Sequence, residues 1–268
     1  MEALFRRDRL VVSGALAVLI ALSWLYLVRM ASAMSGMDMA AMPGMAEMPG
    51  MPDMPGMAMP QVRSWGFVDL ASLFLMWTVM MVAMMAPTAA PMTLAFLSVN
   101  RNRGQAGRRT VSAGLFLGGY LVVWTAFSAG ATTAQWGLHE AAVLSSGMAL
   151  TSPRWAGAVL IVAGVFQWTP LKHACLSHCR SPLSFLMTEW REGAGGALIM
   201  GVRHGVYCVG CCWILMALLF VVGVMNLLWV AAISVFVLME KTVPAGQAVA
   251  RAAGLVLVGV GLFLFVRV

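Results

Sequence analysis

All five cysteines of the chain fall between Cys175 and Cys212; His178 and His204 lie in the same stretch and His173 two residues before it. An odd number of cysteines packed so tightly is poor material for a disulfide framework. Thiolate and imidazole together instead suit Cu(I), with zinc the weaker candidate. Residues 167–182 read QWTPLKHACLSHCRSP and residues 201–213 read GVRHGVYCVGCCW. Helical residues three or four apart share a face, so Cys175 and Cys179 lie one turn apart. His204, Cys208 and either Cys211 or Cys212 form a second ladder of potential ligands. Cys175, His178, Cys179, His204, Cys208, Cys211 and Cys212 are therefore the candidate metal ligands. Against this, a single buried free cysteine behaves as a small hydrophobe, and His173 and His178 are expected in a loop, where solvation alone would account for them.

Methionine is the second unusual feature. There are 24, of which 11 fall between Met30 and Met59. Residues 42–57 read MPGMAEMPGMPDMPGM, so Met42, Met45, Met48, Met51, Met54 and Met57 recur at every third position. Such a Pro/Gly-rich stretch builds neither a helix nor a packed core. Polyproline II has about three residues per turn, which would stack the six thioethers along one edge. Thioethers are uncharged, soft ligands that favour Cu(I), and the segment reads as an external metal-gathering loop. A further run, MMVAMMAPTAAPM over residues 80–92, places Met76, Met80 and Met84 at i, i+4 and i+8, with Asp69 on roughly the same stripe. Met80, Met84 and Met85 would reach the depth of the cysteines. A methionine stripe in an apolar helix is commonly packing; the alternative is a path for a soft ion.

These residues need elements to hold them. The chain has 268 residues, 61% of them hydrophobic and only 10% charged, whereas a soluble domain carries about 25% charged residues. The composition excludes an ordinary soluble enzyme and predicts an all-α, polytopic membrane helix bundle. A spanning helix needs about 20 apolar residues. Seven candidates are found at residues 10–28, 67–86 (ending at Pro87), 111–134, 153–171, two within 206–239 separated near Gly223 and Asn226, and 248–266. A short interfacial helix is expected from Ser181-Pro182 onward, with Gly193, Gly195 and Gly196 turning the chain back into the fifth span. Gly114, Gly118 and Gly119, and Gly254, Gly259 and Gly261, would permit close helix packing.

Orientation follows from the cations in short loops. Arg6, Arg7 and Arg9, then Arg101, Arg103, Arg108 and Arg109, then Lys172, Arg180, Arg191 and Arg203, and finally Lys241 and Arg251 all fall on one side if seven helices alternate. Arg29, Arg63 and Arg154 fall on the other. This predicts a cytoplasmic N-terminus, an external methionine-rich loop, and residence in the inner (plasma) membrane of a bacterium with that loop on the periplasmic side. Residues 1–29 are expected to anchor the chain, 30–65 to form the loop and 66–268 to form a six-helix metal-binding domain. A cleavable signal peptide ending at Ala31-Ser32-Ala33 is the rival reading of the first helix, but its apolar stretch exceeds the usual length of about 7–15 residues. The net charge of +7 does not indicate nucleic acid, because no basic patch is interleaved with aromatics.

The blocks VMMVAMMAP, QWTPLKHACLSHCRSPLSFL, GVRHGVYCVGCCW and GVMNLLWVAAISVFVLMEK resemble the predicted metal-binding integral membrane proteins, from about Gly66 to the C-terminus. That resemblance implies a copper chaperone serving copper oxidases of the tyrosinase type, and hence a copper-enzyme client or metallochaperone as partner beside the lipid bilayer. The methionine-rich loop lies outside the resembling blocks. Two other functions compete: a thiol–disulfide oxidoreductase using Cys208 and Cys211, and a structural subunit of a metalloenzyme complex. No H-E-x-x-H or G-x-S-x-G motif is present, and the protein is read as a non-enzyme.

Overall fold

The computed structural model describes residues 2–40, 65–102, 109–145 and 148–267. The methionine-rich segment 42–57 lies outside the described residues. The expectation of an all-α fold holds: among the described residues the elements are α1 (Glu2–Ala40), α2 (Phe67–Asn102), α3 (Arg109–Glu140), α4 (Pro153–Phe166), α5 (Pro170–Arg180), α6 (Pro182–Thr188), α7 (Gly193–Ala217), α8 (Leu219–Val222), α9 (Leu227–Thr242) and α10 (Gly246–Val266).

Among the described residues, five stretches are long and apolar enough to cross a membrane: Arg6–Ala33, Phe67–Asn100, Thr110–Glu140, Gly193–Val222 and Gly246–Val266. The expected fourth span breaks in two. Phe166 ends α4, Thr169 caps α5 by accepting the Lys172 N–H, and Pro170 opens the new helix. Proline favours a first helical turn because its missing N–H is unpaired there anyway, and the two pieces meet at a bend of 63°. Counting that pair as one gives six candidate spans. The remaining expected span is α9, only 16 residues long. The turn before it lies where expected, at Gly223, whose φ of +93° suits glycine. His173 and His178 lie in α5 rather than in a loop. The short helix after Ser181 is present as α6, and α7 begins at Gly193.

α2 departs most from expectation. It runs through Pro87 and Pro91 to Asn102 without ending. At 36 residues it is roughly 54 Å long, well beyond the hydrocarbon thickness of about 30 Å. A proline ring inside a helix crowds the preceding turn and deletes a donor. Pro87 removes the N–H that would bond the Ala83 carbonyl, yet the helix continues, as prolines are tolerated within a bundle. Here Thr88 Oγ1 and the Tyr120 hydroxyl both donate to the Met85 carbonyl, at 2.9 and 3.1 Å, and Ser234 Oγ donates to the Met84 carbonyl at 3.2 Å.

The exterior is apolar and the largely apolar core admits a few polar groups. Phe67, Trp155, Leu228, Leu255 and Val256 face outward, while Gln135, Gln167, Lys172, Glu240 and Lys241 are buried. An apolar exterior fits lipid as the surrounding solvent. Two helix pairs carry the closest contacts. Gly119 of α3 and Gly201 of α7 bring their backbones so near that a Cβ at Gly201 would overlap the Phe116 carbonyl. Gly164 of α4 and Gly254 of α10 approach in the same way, and Gly157 faces Gly261. By contrast, Gly114, Gly118 and Gly259 face open space, so only part of each predicted glycine set makes a helix contact.

Replacing Gly201 by Ala should therefore lower stability by at least about 1–3 kcal/mol, the usual cost of overpacking, seen as a lower midpoint of thermal unfolding in detergent. Gly118→Ala, into open space, should leave the midpoint unchanged.

Candidate metal centre

The proline-bearing turn of α2 and the close crossing of α3 and α7 converge on one sulfur. Cys208, fully buried on α7, lies 3.0 Å from the Tyr120 hydroxyl of α3. That hydroxyl in turn donates to the Met85 carbonyl ahead of Pro87. Gly205, one turn before Cys208, packs against Val123 and the Tyr120 carbonyl, and this close approach brings the phenol to the thiol. From α9, the Lys241 ammonium donates to Cys208 Sγ at 2.8 Å and to Thr88 Oγ1 at 3.2 Å.

The other thiols gather around this point. Cys208, Cys211 and Cys212 of α7 share one buried apolar cluster, and Cys175 and Cys179 of α5 pack against it. Cys211 Sγ and Cys212 Sγ also lie 3.1 and 2.9 Å from the Cys208 carbonyl. Cys175 sits one turn before Cys179 and packs against the Gly210 backbone, where a Cβ would come within 2.7 Å of its sulfur. All five cysteines are free. Even so, among the described residues no group of three or more His, Cys, Asp or Glu is arranged to hold a metal ion. The geometry gives a reason: Cys211 and Cys212 aim at a backbone carbonyl, and an ammonium occupies the approach to Cys208.

The chain matches the copper chaperone family PpoB2 over residues 74–264, well over half its length. It belongs to that family. No curated protein and no solved structure matches it. For a copper chaperone, the chemistry of the donor set fits the cargo: soft thiols in a buried, apolar setting suit copper in its monovalent state.

The remaining candidates divide. His204 is buried beside the thiols, stacked on Tyr120 at 5.4 Å and Phe116 at 5.9 Å, and its Nδ1 has no hydrogen-bond partner. A buried ring nitrogen without a partner is costly, so this atom has lone-pair or donor capacity to spare. His178 stands apart, stacked on Tyr207 at 4.2 Å with Nδ1 2.8 Å from the Ala174 carbonyl. Met80, Met84 and Met85 are fully buried in the same apolar cluster as Cys208, Cys211 and Cys212.

Two of the expected loop cations lie elsewhere. Lys172 and Lys241 are not loop cations but buried side chains, 1% and 8% exposed, and both therefore leave the orientation argument. Lys172 pairs with Glu240 at 2.6 Å and also donates to Gln167. Glu240 and Lys241, adjacent on α9, thus serve two different partners, the Lys172 ammonium and the Cys208 sulfur. The signal for both was present in LMEK, an acid and a base at the end of an apolar run, where charge by default marks function. Tyr120 and Thr88 carried no comparable signal.

Lys172→Met should strand Glu240 as an unpaired buried group and cost about 3–5 kcal/mol, measured by chemical denaturation in detergent. Replacing both partners by apolar residues should recover most of that loss.

Proposed function

We propose that this copper chaperone is an integral membrane protein that holds Cu(I) at the thiols of Cys208, Cys211, Cys212 and Cys179, with Cys175, His204 and the thioethers of Met80, Met84 and Met85 as supporting donors, and passes it to a copper enzyme. The observation that carries the reading is the shared cluster of Cys208, Cys211 and Cys212, with Cys175 and Cys179 packed against it, and a lysine on the Cys208 sulfur. Two thiolates on one Cu(I) leave a net charge of −1, expensive in an apolar interior. The Lys241 ammonium cancels it. Before loading, the same ammonium pairs with Cys208 and keeps its sulfur in place. Loading then requires Cys211 and Cys212 to turn from the Cys208 carbonyl toward the metal, a rotamer change without backbone movement.

In this reading the N-terminus is cytoplasmic and α1 anchors the chain, continuing to Ala40 rather than ending at residue 29 as expected; the segment that follows forms the external, periplasmic loop whose Met42, Met45, Met48, Met51, Met54 and Met57 gather copper. The arginine clusters support the orientation after Lys172 and Lys241 are removed from the count, because Arg6, Arg7, Arg9, Arg101, Arg103, Arg108 and Arg109 remain on the same side. His178, stacked on Tyr207, is assigned to the rim of the site rather than to the ligand set.

The test is an anaerobic Cu(I) competition titration of the detergent-solubilised protein with residues 42–57 deleted. A tight site should survive the deletion and vanish when Cys208, Cys211 and Cys212 become Ser. Lys241→Met should weaken Cu(I) binding by about 10–100-fold, the usual effect of losing a group that supports metal ligands, and Lys241→Arg should retain more of the affinity. Absence of any Cu(I) site in the deleted protein would leave the cysteines as structural or redox groups and overturn the reading.

A further inference from the structure

A second cluster of soft donors lies toward the other end of α2. A cavity of about 240 Å³ is lined by Met30 of α1, Met76 and Asp69 of α2, Met148 of the α3–α4 connection, Met225 of the turn before α9, and Trp65. Four separate segments of the chain thus each bring a methionine to one space. A water molecule takes about 30 Å³, so the space exceeds what one metal ion needs. Methionines that serve packing fill gaps; these border one.

Two observations set Met148 apart from packing. Its sulfur accepts a hydrogen bond from Gln135 Nε2 at 3.0 Å, and the Gln135 carbonyl is itself held by Trp77 Nε1 at 2.6 Å. The thioether is therefore oriented by a buried relay, the kind of outer contact that aims a ligand. Its backbone also adopts a φ of +57°, strained for a side chain of this size, and such strain concentrates at functional sites. Asp69 accepts the Gly66 N–H through Oδ2 at 2.9 Å and supplies the cavity's carboxylate. One anionic group among four uncharged thioethers attracts a monovalent cation, while the sulfurs discriminate against hard ions.

We infer that this cavity is a binding site for a soft monovalent metal ion, Cu(I) or Ag(I), separate from the thiol cluster and held by the thioethers of Met30, Met76, Met148 and Met225 with Asp69. It lies where the chain resumes at Trp65 after the methionine-rich segment. Met76 also begins the buried series Met76, Met80 and Met84 along one face of α2. The turn with Met84 and Met85 lies roughly 13 Å further along the axis at 1.5 Å per residue. The cavity is thus the loading end of a path whose holding end is Cys208. This role rests on the proposed copper-holding function, and the site itself does not.

The experiment uses the full chain in detergent, with Ag(I) as a redox-inert probe. Oxidation of each methionine to sulfoxide and alkylation of each cysteine are followed by mass spectrometry, with and without Ag(I). Met30, Met148 and Met225 should oxidise about tenfold more slowly at 90% occupancy, because a coordinated thioether lacks the free lone pair that oxidation requires. Met187, 83% exposed on α6, should be unaffected. In Met225→Leu, protection of Met30 and Met148 should weaken at the same Ag(I) concentration while the cysteines keep theirs. Unchanged oxidation of Met30, Met148 and Met225 overturns the inference, and it does so even if the cysteines are protected, in which case the copper-holding reading stands. Protection of these methionines with none at the cysteines upholds the site and removes the holding role of Cys208.

Discussion

An ammonium group 2.8 Å from a buried sulfur is the contact on which much of this architecture turns. A lysine inside an apolar bundle must be paired, because an isolated buried charge costs many kcal/mol. Lys241 meets that requirement with Cys208 and Thr88, and doing so ties α9 to both α7 and α2. The neighbouring Glu240 ties α9 to α5 through Lys172. Two adjacent residues at the end of one short helix therefore fix the positions of three others, and two of those, α5 and α7, carry the thiols.

The proline-bearing turn of α2 and the bend between α4 and α5 lie beside the same centre. Just ahead of Pro87, the Met85 carbonyl accepts from both Tyr120 and Thr88, and these two side chains also border Cys208 and Lys241. The bend at residues 167–169 turns α5 away from the course of α4 and brings Cys179 to α7. Small residues complete the arrangement. Gly201 and Gly205 let α3 and α7 cross so closely that a phenol from one reaches a thiol on the other. Interruption and close approach are the means by which a mostly apolar bundle admits a polar centre.

At the far end of α2 the donors differ in kind. Thioethers bind soft ions without losing a proton, whereas thiols must be deprotonated first. Placing neutral donors near the methionine-rich segment and ionisable ones deeper in the bundle would produce a gradient of affinity along one helix, from loose capture to firm holding. The buried series Met76, Met80 and Met84 links the two ends with the same soft chemistry throughout.

Much of this was legible in residue types. The excess of apolar residues required a helical bundle, because lipid leaves backbone groups no other partner, and the clustering of Cys, His and Met pointed to a soft metal. The periodicity placing Cys175 with Cys179, and His204 with Cys208, follows from helical geometry alone, as does the turn at Gly223. Which charges lie inside was not legible. Lys172 and Lys241 read as ordinary loop cations, since linear order does not reveal that two helix ends fold inward upon Glu240 and Cys208. The passage of α2 through Pro87 was hidden for a similar reason. Proline ends an isolated helix, and the side chains that bond the carbonyls of the turn ahead of it include Tyr120 and Ser234, 33 and 147 residues further along the chain. Local pattern is set by neighbours in sequence; the pairing of buried polar groups is set by neighbours in space.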